Sequence, residues 1–74
     1  MKTPTQKFLI EGITYDVIGY LVERNKMDIK NAISTFINSD TYSKLEDTET
    51  GLYIESPAYT YNLLMSELKY GRLI

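Results

Sequence analysis

Apolar residues in the first third of the chain recur with a helical period. At about 100° per residue, Leu9, Ile10, Ile13, Val17, Tyr20 and Leu21, with Thr14 and Ile18 at the margin, cover one broad side, and Gly12, Asp16, Gly19 and Glu23 line a narrow opposite strip. Phe8, Tyr15 and Val22 add a stripe at seven-residue spacing, so this helix carries apolar surface on more than one side. Its start is marked by Thr3 as a cap, Pro4 at the first helical position and Gln6 where a capping box places it, and "RNKM" ends the periodic run. Two interior glycines cost roughly 1 kcal/mol each relative to alanine. Their shared strip either admits another backbone at close range or is tolerated on an exposed face.

Asp28 is placed to cap a second helix through Ile37, with Ile29, Ala32, Ile33, Phe36 and Ile37 on one face and Lys30, Asn31, Ser34 and Thr35 turned away, a one-sided pattern. After "NSD", with Ser39 or Asp40 as cap, "TYSKLE" reads as a short helix in which Tyr42 and Leu45 meet at i,i+3. "DTETG" holds turn formers, and Gly51 takes the positive backbone dihedral that ends a loop. Leu52 and Ile54 alternate with Tyr53, which predicts a two- or three-residue extended piece laying its apolar side chains on the helices. Ser56 and Pro57 then start a last helix over 57–70, though Tyr59 leaves the capping box incomplete. This helix has two apolar sides: Ala58, Tyr61, Leu64, Met65 and Leu68 on one, and Tyr59, Leu63 and Tyr70 on the other; Gly71 stops it. The second side is covered by "LYI" and the terminal "RLI", or by another chain. The pattern predicts one all-α domain over residues 1–74, a small helical bundle of three main helices with a short linking helix.

Composition limits how that bundle holds together. With 74 residues, 43% of them hydrophobic, folding removes only about 60% of the chain's surface from water. No cysteine is present, so disulfides and thiolate metal sites are excluded, in keeping with a reducing compartment. Self-association is the remaining common source of stability, and the stripes Phe8/Tyr15/Val22 and Tyr59/Leu63/Tyr70 are the surfaces for a homodimer. No run of eighteen apolar residues exists, and the N-terminus lacks a hydrophobic run ending at a small-residue cleavage site. Neither a membrane span nor a secretory signal is expected.

Charge narrows the partners. The formal net charge is -2, and residues 40–74 hold six acidic groups against three basic ones, whereas residues 1–39 hold four against five. A charge-guided partner therefore favours a basic protein surface over nucleic acid. The second helix, "NSD" and "TYSKLE" do mimic a helix-turn-helix in spacing, which makes a small DNA-binding regulator the alternative reading. Its recognition helix would offer only Lys44, followed at once by Glu46 and Asp47, where base edges and phosphates call for arginine, lysine and amides.

Catalytic chemistry has few candidates. Histidine and cysteine are both absent, which removes the commonest general base at neutral pH and the thiol nucleophile. Glu46, Asp47, Glu49 and Glu55 surround a loop that reads as solvated. A calcium-loop count from Asp47 puts Leu52 where glycine is required and Ala58 where the bidentate glutamate belongs. The four glycines form no phosphate-binding loop. No enzymatic activity, cofactor or metal is expected. Seven tyrosines and no tryptophan suit either helix packing or a protein interface, and Tyr53, Tyr59 and Tyr61, which flank the loop, are candidates to face a partner. Leu63, Tyr70, Phe8 and Tyr15 complete the candidate interface with Tyr53 and Tyr59.

The stretch "SDTYSKLEDTETGLYIESPAYTYNLL" resembles a group of short uncharacterised proteins of bacteria and their mobile elements, sometimes encoded near toxin and antitoxin type genes. The similarity spans residues 28–68 and centres on Tyr42, Leu45, Asp47, Thr50, Gly51, Leu52, Tyr53, Ser56 and Tyr59. It implies a bacterial cytoplasmic protein with a neighbouring protein partner, and it brings no catalytic residues.

Overall fold

The structure, a computed structural model, describes residues 1–71. Among them the chain forms four α-helices, α1 (Pro4–Arg24), α2 (Ile29–Ile37), α3 (Asp40–Glu46) and α4 (Pro57–Tyr70), with single 3-10 turns at Thr48–Thr50 and Leu52–Ile54 between the last two, and no strand. Each α-helix begins on a side-chain cap. Thr3 Oγ1 accepts the Gln6 N–H at 3.1 Å while Gln6 Oε1 accepts the Thr3 N–H at 2.9 Å, completing the capping box. Asp28, Ser39 and Ser56 accept the N–H groups of Asn31, Tyr42 and Tyr59 in the same way. The ends are equally local. Lys26 turns left-handed at φ 58 just past α1, and Gly71 does so at φ 79 after α4.

Ile10, Ile13, Val17 and Leu21 form the buried stripe of α1, which packs on all three other helices and on the second 3-10 turn. Against it stand Ala32 and Phe36 from α2, Thr41 and Leu45 from α3, Leu52, and Thr60, Tyr61 and Leu64 from α4. Aromatic edges lock two of these contacts: Tyr20 meets Tyr61 and Phe36 meets Tyr42, both T-shaped with centroids 5.3 Å apart.

Several sequence expectations change. "LYI" is a 3-10 turn rather than an extended piece, so Leu52 alone is buried, Tyr53 is half-buried and Ile54 is left 71% exposed. The apolar face of α2 is one-sided as expected but wider than its contact with the core: Ala32 and Phe36 are buried, and Ile29, Ile33 and Ile37 are left exposed. In α4, Ala58 and Leu68 are exposed and Thr60 takes a core position. Leu9, placed on the inner side of α1, lies at its edge. The short helix α3 is more than a connector, because Thr41 and Leu45 are fully buried. The terminal "RLI" lies outside the described residues.

Candidate interaction surface

The outward side of α1 carries a line of alternating size. Residues 8, 12, 15, 19 and 22 are spaced by four and three, so they stack on one side of the helix, opposite the buried stripe. Phe8 is 73% and Tyr15 82% exposed. Between and beyond them, Gly12 is exposed and Gly19 half-buried, and among the described residues nothing outside the neighbouring backbone of α1 lies within 4 Å of the place where a Cβ would stand at either. Val22, half-buried, closes the line.

A groove flanks this line on each side. The first, of about 310 Å³, runs between α1 and the second 3-10 turn; Phe8, Leu9, Gly12, Tyr53 and Ile54 line it, and Asp16 and Glu55 give it acidic edges. The second, of about 340 Å³, lies between α1 and α2, where Tyr15, Ile18, Gly19, Val22, Ile29 and Ile33 form an apolar trough beside Glu23.

Local chemistry fixes the first groove. Gly51, at φ 73, ends one 3-10 turn and starts the next. Thr50 Oγ1 donates to the Lys44 carbonyl at 2.7 Å and accepts the Leu52 N–H at 3.2 Å, tying the turn to α3. Buried Leu52 anchors it, and Gln6 Nε2 donates to the Tyr53 hydroxyl at 3.2 Å, holding that ring at the start of α1. Gln6 thus serves the helix cap and the groove wall together, a role with no local signal because its partner lies 47 positions away.

The candidate residues do not all converge. Phe8 and Tyr53 share the first groove, and Tyr15 lines the second. Tyr59, Leu63 and Tyr70 line neither: Tyr59 is 49% and Tyr70 55% exposed, and Leu63 packs partly against the core. Tyr61 turns inward, its hydroxyl donating to Asn25 Oδ1 at 2.7 Å, with the Arg24 guanidinium over both its ring and that of Tyr20. Ile29 and Ile33 were not foreseen as groove walls. The available signal was five apolar residues on a nine-residue helix, more than one contact line can cover.

The other candidate regions are internally occupied. Glu67 of α4 reaches to the start of α3, where it accepts the Asp40 N–H at 2.9 Å and the Thr41 N–H and hydroxyl at 2.8 and 2.7 Å. Burial alone would raise its pKa, but these three hydrogen bonds outweigh burial and hold the carboxyl below the usual carboxylate range. The end of α3 that would approach DNA therefore already holds an anion, and its exposed positions are Asp40, Ser43 and Lys44. Burial, and then the charge of Glu46, push the Tyr42 phenol above its ordinary value. In the acidic loop, Glu46 pairs with Lys2 at 3.4 Å and Asp47 caps the Glu49 N–H at 3.1 Å. Among the described residues no group of three or more acidic side chains is arranged to hold a metal ion, and no helix is long and apolar enough to cross a membrane. Comparison with known protein families, with characterised proteins and with solved structures finds no match to this chain.

Proposed function

We propose that this chain is a non-enzymatic protein-interaction module of the bacterial cytoplasm, binding through the outward side of α1 and its two grooves. The observation that carries the reading is the exposure of Phe8 and Tyr15, two large rings standing in water between apolar troughs. Covering each returns about 2 kcal/mol of hydrophobic free energy, and aromatic side chains beside pockets are the usual anchors of protein interfaces. The acidic edges at Asp16, Glu23 and Glu55 favour a partner with basic groups around an apolar centre. The resemblance to short proteins sometimes encoded near toxin and antitoxin type genes makes the product of a neighbouring gene the first partner to test.

The alternative, a helix-turn-helix DNA regulator, retains its spacing across α2 and α3, but Glu67 at the start of α3 opposes a phosphate there. Co-purification of the tagged chain with the neighbouring product, compared with Phe8→Ala/Tyr15→Ala, separates the two. Both rings are exposed, so the double variant is expected to keep its helical circular dichroism and lose most of the captured partner. Duplex binding at about 150 mM salt that disappears in Lys44→Ala would instead establish the DNA reading, since an acidic chain has no bulk attraction for phosphates.

A further inference from the structure

We infer that the outward face of α1 is a self-complementary seam that receives a second copy of this chain, with the two α1 helices antiparallel and the aromatic residues of each seated over the glycines of the other. The inference rests on the interaction-module reading and takes up the apolar centre of that face; a copy carries the same acidic edges, so the pairing is held by rings and glycines and leaves those edges at its rim. Phe8 and Gly19, and likewise Gly12 and Tyr15, lie symmetrically about a point between Ile13 and Thr14, within one residue of the middle of α1. A two-fold axis there places Phe8 over Gly19 of the copy and Tyr15 over Gly12 of the copy, and the return contacts follow from symmetry. The spacings match as well. Phe8 to Tyr15 and Gly12 to Gly19 are both seven residues, about 10.5 Å along the helix. A parallel pairing would instead set ring on ring and glycine on glycine.

The grooves fit this register. Gly19 lies in the apolar trough walled by Ile18, Ile29 and Ile33, which takes the Phe8 ring of the copy. Gly12 lies in the groove edged by Asp16 and Glu55, where the Tyr15 ring of the copy brings a hydroxyl that donates to a carboxylate. Among the described residues, nothing outside the neighbouring backbone of α1 lies within 4 Å of an added Cβ at either glycine, which leaves room for the copy's side chain.

The exposed area is also of the right size. With roughly 150–250 Å² for a whole aromatic side chain, Phe8 and Tyr15 leave about 300 Å² in water at their observed exposures. Ile29, Ile33 and Ile54, at 62%, 43% and 71% exposure, bring the apolar total to the order of 500 Å² per chain. That is near the upper end for one patch on a monomer, and with the polar edges it approaches the roughly 600 Å² per partner at which specific interfaces begin.

Sedimentation equilibrium is expected to show the wild-type chain passing from monomer to dimer in the micromolar range. Gly12→Leu/Gly19→Leu is expected to remain monomeric and, at concentrations where both proteins are monomers, to melt at the same temperature or higher, because both sites are open and leucine favours helix over glycine. Phe8→Ala and Gly19→Phe should each weaken the dimer, and together should restore it by exchanging large and small partners. A wild-type chain that is monomeric throughout, or a dimer that survives the leucine pair, overturns the seam. Capture of a different protein through Phe8 and Tyr15 is a separate measurement, so the seam and the broader reading fail separately.

Discussion

Thr41 and Thr60 are both fully buried, yet their hydroxyls have opposite circumstances. Thr41 Oγ1 donates to Glu67, whereas Thr60 Oγ1 has no hydrogen-bond partner among the described residues. Removing the unpartnered hydroxyl while keeping its shape relieves a desolvation penalty, so Thr60→Val is expected to stabilise the fold by about 1 kcal/mol, raising Tm by roughly 4–8 °C for a domain of this size. A calorimetric scan with Tm unchanged or lowered would show that the hydroxyl is satisfied in solution. Thr41→Val should do the reverse, because it leaves Glu67 short of a donor. These threonines also show what the hydropathy pattern could not reveal. Both count as polar in a periodicity argument, and in α4 the hydropathy pattern runs the inner side through Ala58 and Leu68, which are exposed, in place of Thr60. Burial of a hydroxyl depends on contacts from other elements, and those have no trace in local spacing.

At the scale of the element, α3 is the informative case. Seven residues fall well below the roughly 12–15 needed for a marginally stable isolated helix, so its order comes from buried Thr41 and Leu45, the Ser39 cap and the Glu67 carboxylate. The folded state holds the pKa of Glu67 below its unfolded value, so its stabilisation is complete above the ordinary carboxylate range and is lost as pH falls through the lower folded value. Thermal midpoints measured against pH should therefore show Glu67→Gln less stable than wild type at neutral pH, with the gap closing below about pH 4. A gap that stays constant with pH would assign the effect to amide geometry instead of charge. The helix starts were legible because Thr3, Asp28, Ser39 and Ser56 lie next to the groups they cap. "LYI" was not, since extended and 3-10 geometries both place Leu52 inward and differ mainly in where they send Ile54. A three-residue segment contains too little pattern to separate a period of two from a period of three.

Across the whole molecule, α1 organises both the interior and the exposed surface. Its inner stripe packs toward all the other helices, and on its outer line the Phe8 and Tyr15 rings stand exposed. Sequence spacing showed the Phe8/Tyr15/Val22 stripe and the glycine strip separately. It did not merge them, although a four-residue step turns only about 40° and so puts Gly12 beside Phe8. The grooves were beyond its reach, because Tyr53 and Ile29 come beside α1 only through tertiary packing. Tyr59, Leu63 and Tyr70, a stripe on α4, line neither groove. The hold of Glu67 on Asp40 and Thr41 has a further consequence, in time: it spans 27 and 26 positions, whereas α1 and α2 are consecutive and joined by a short connection. Distant contacts form after local ones have reduced the entropy of closing the loop, so the α1–α2 pair should assemble first and α3 should settle when α4 docks. In stopped-flow denaturant jumps, Glu67→Ala is expected to accelerate unfolding and leave the folding rate nearly unchanged. Slower folding with unaltered unfolding would put the α3–α4 contact in the nucleus, and the chain would then begin to fold from its second half.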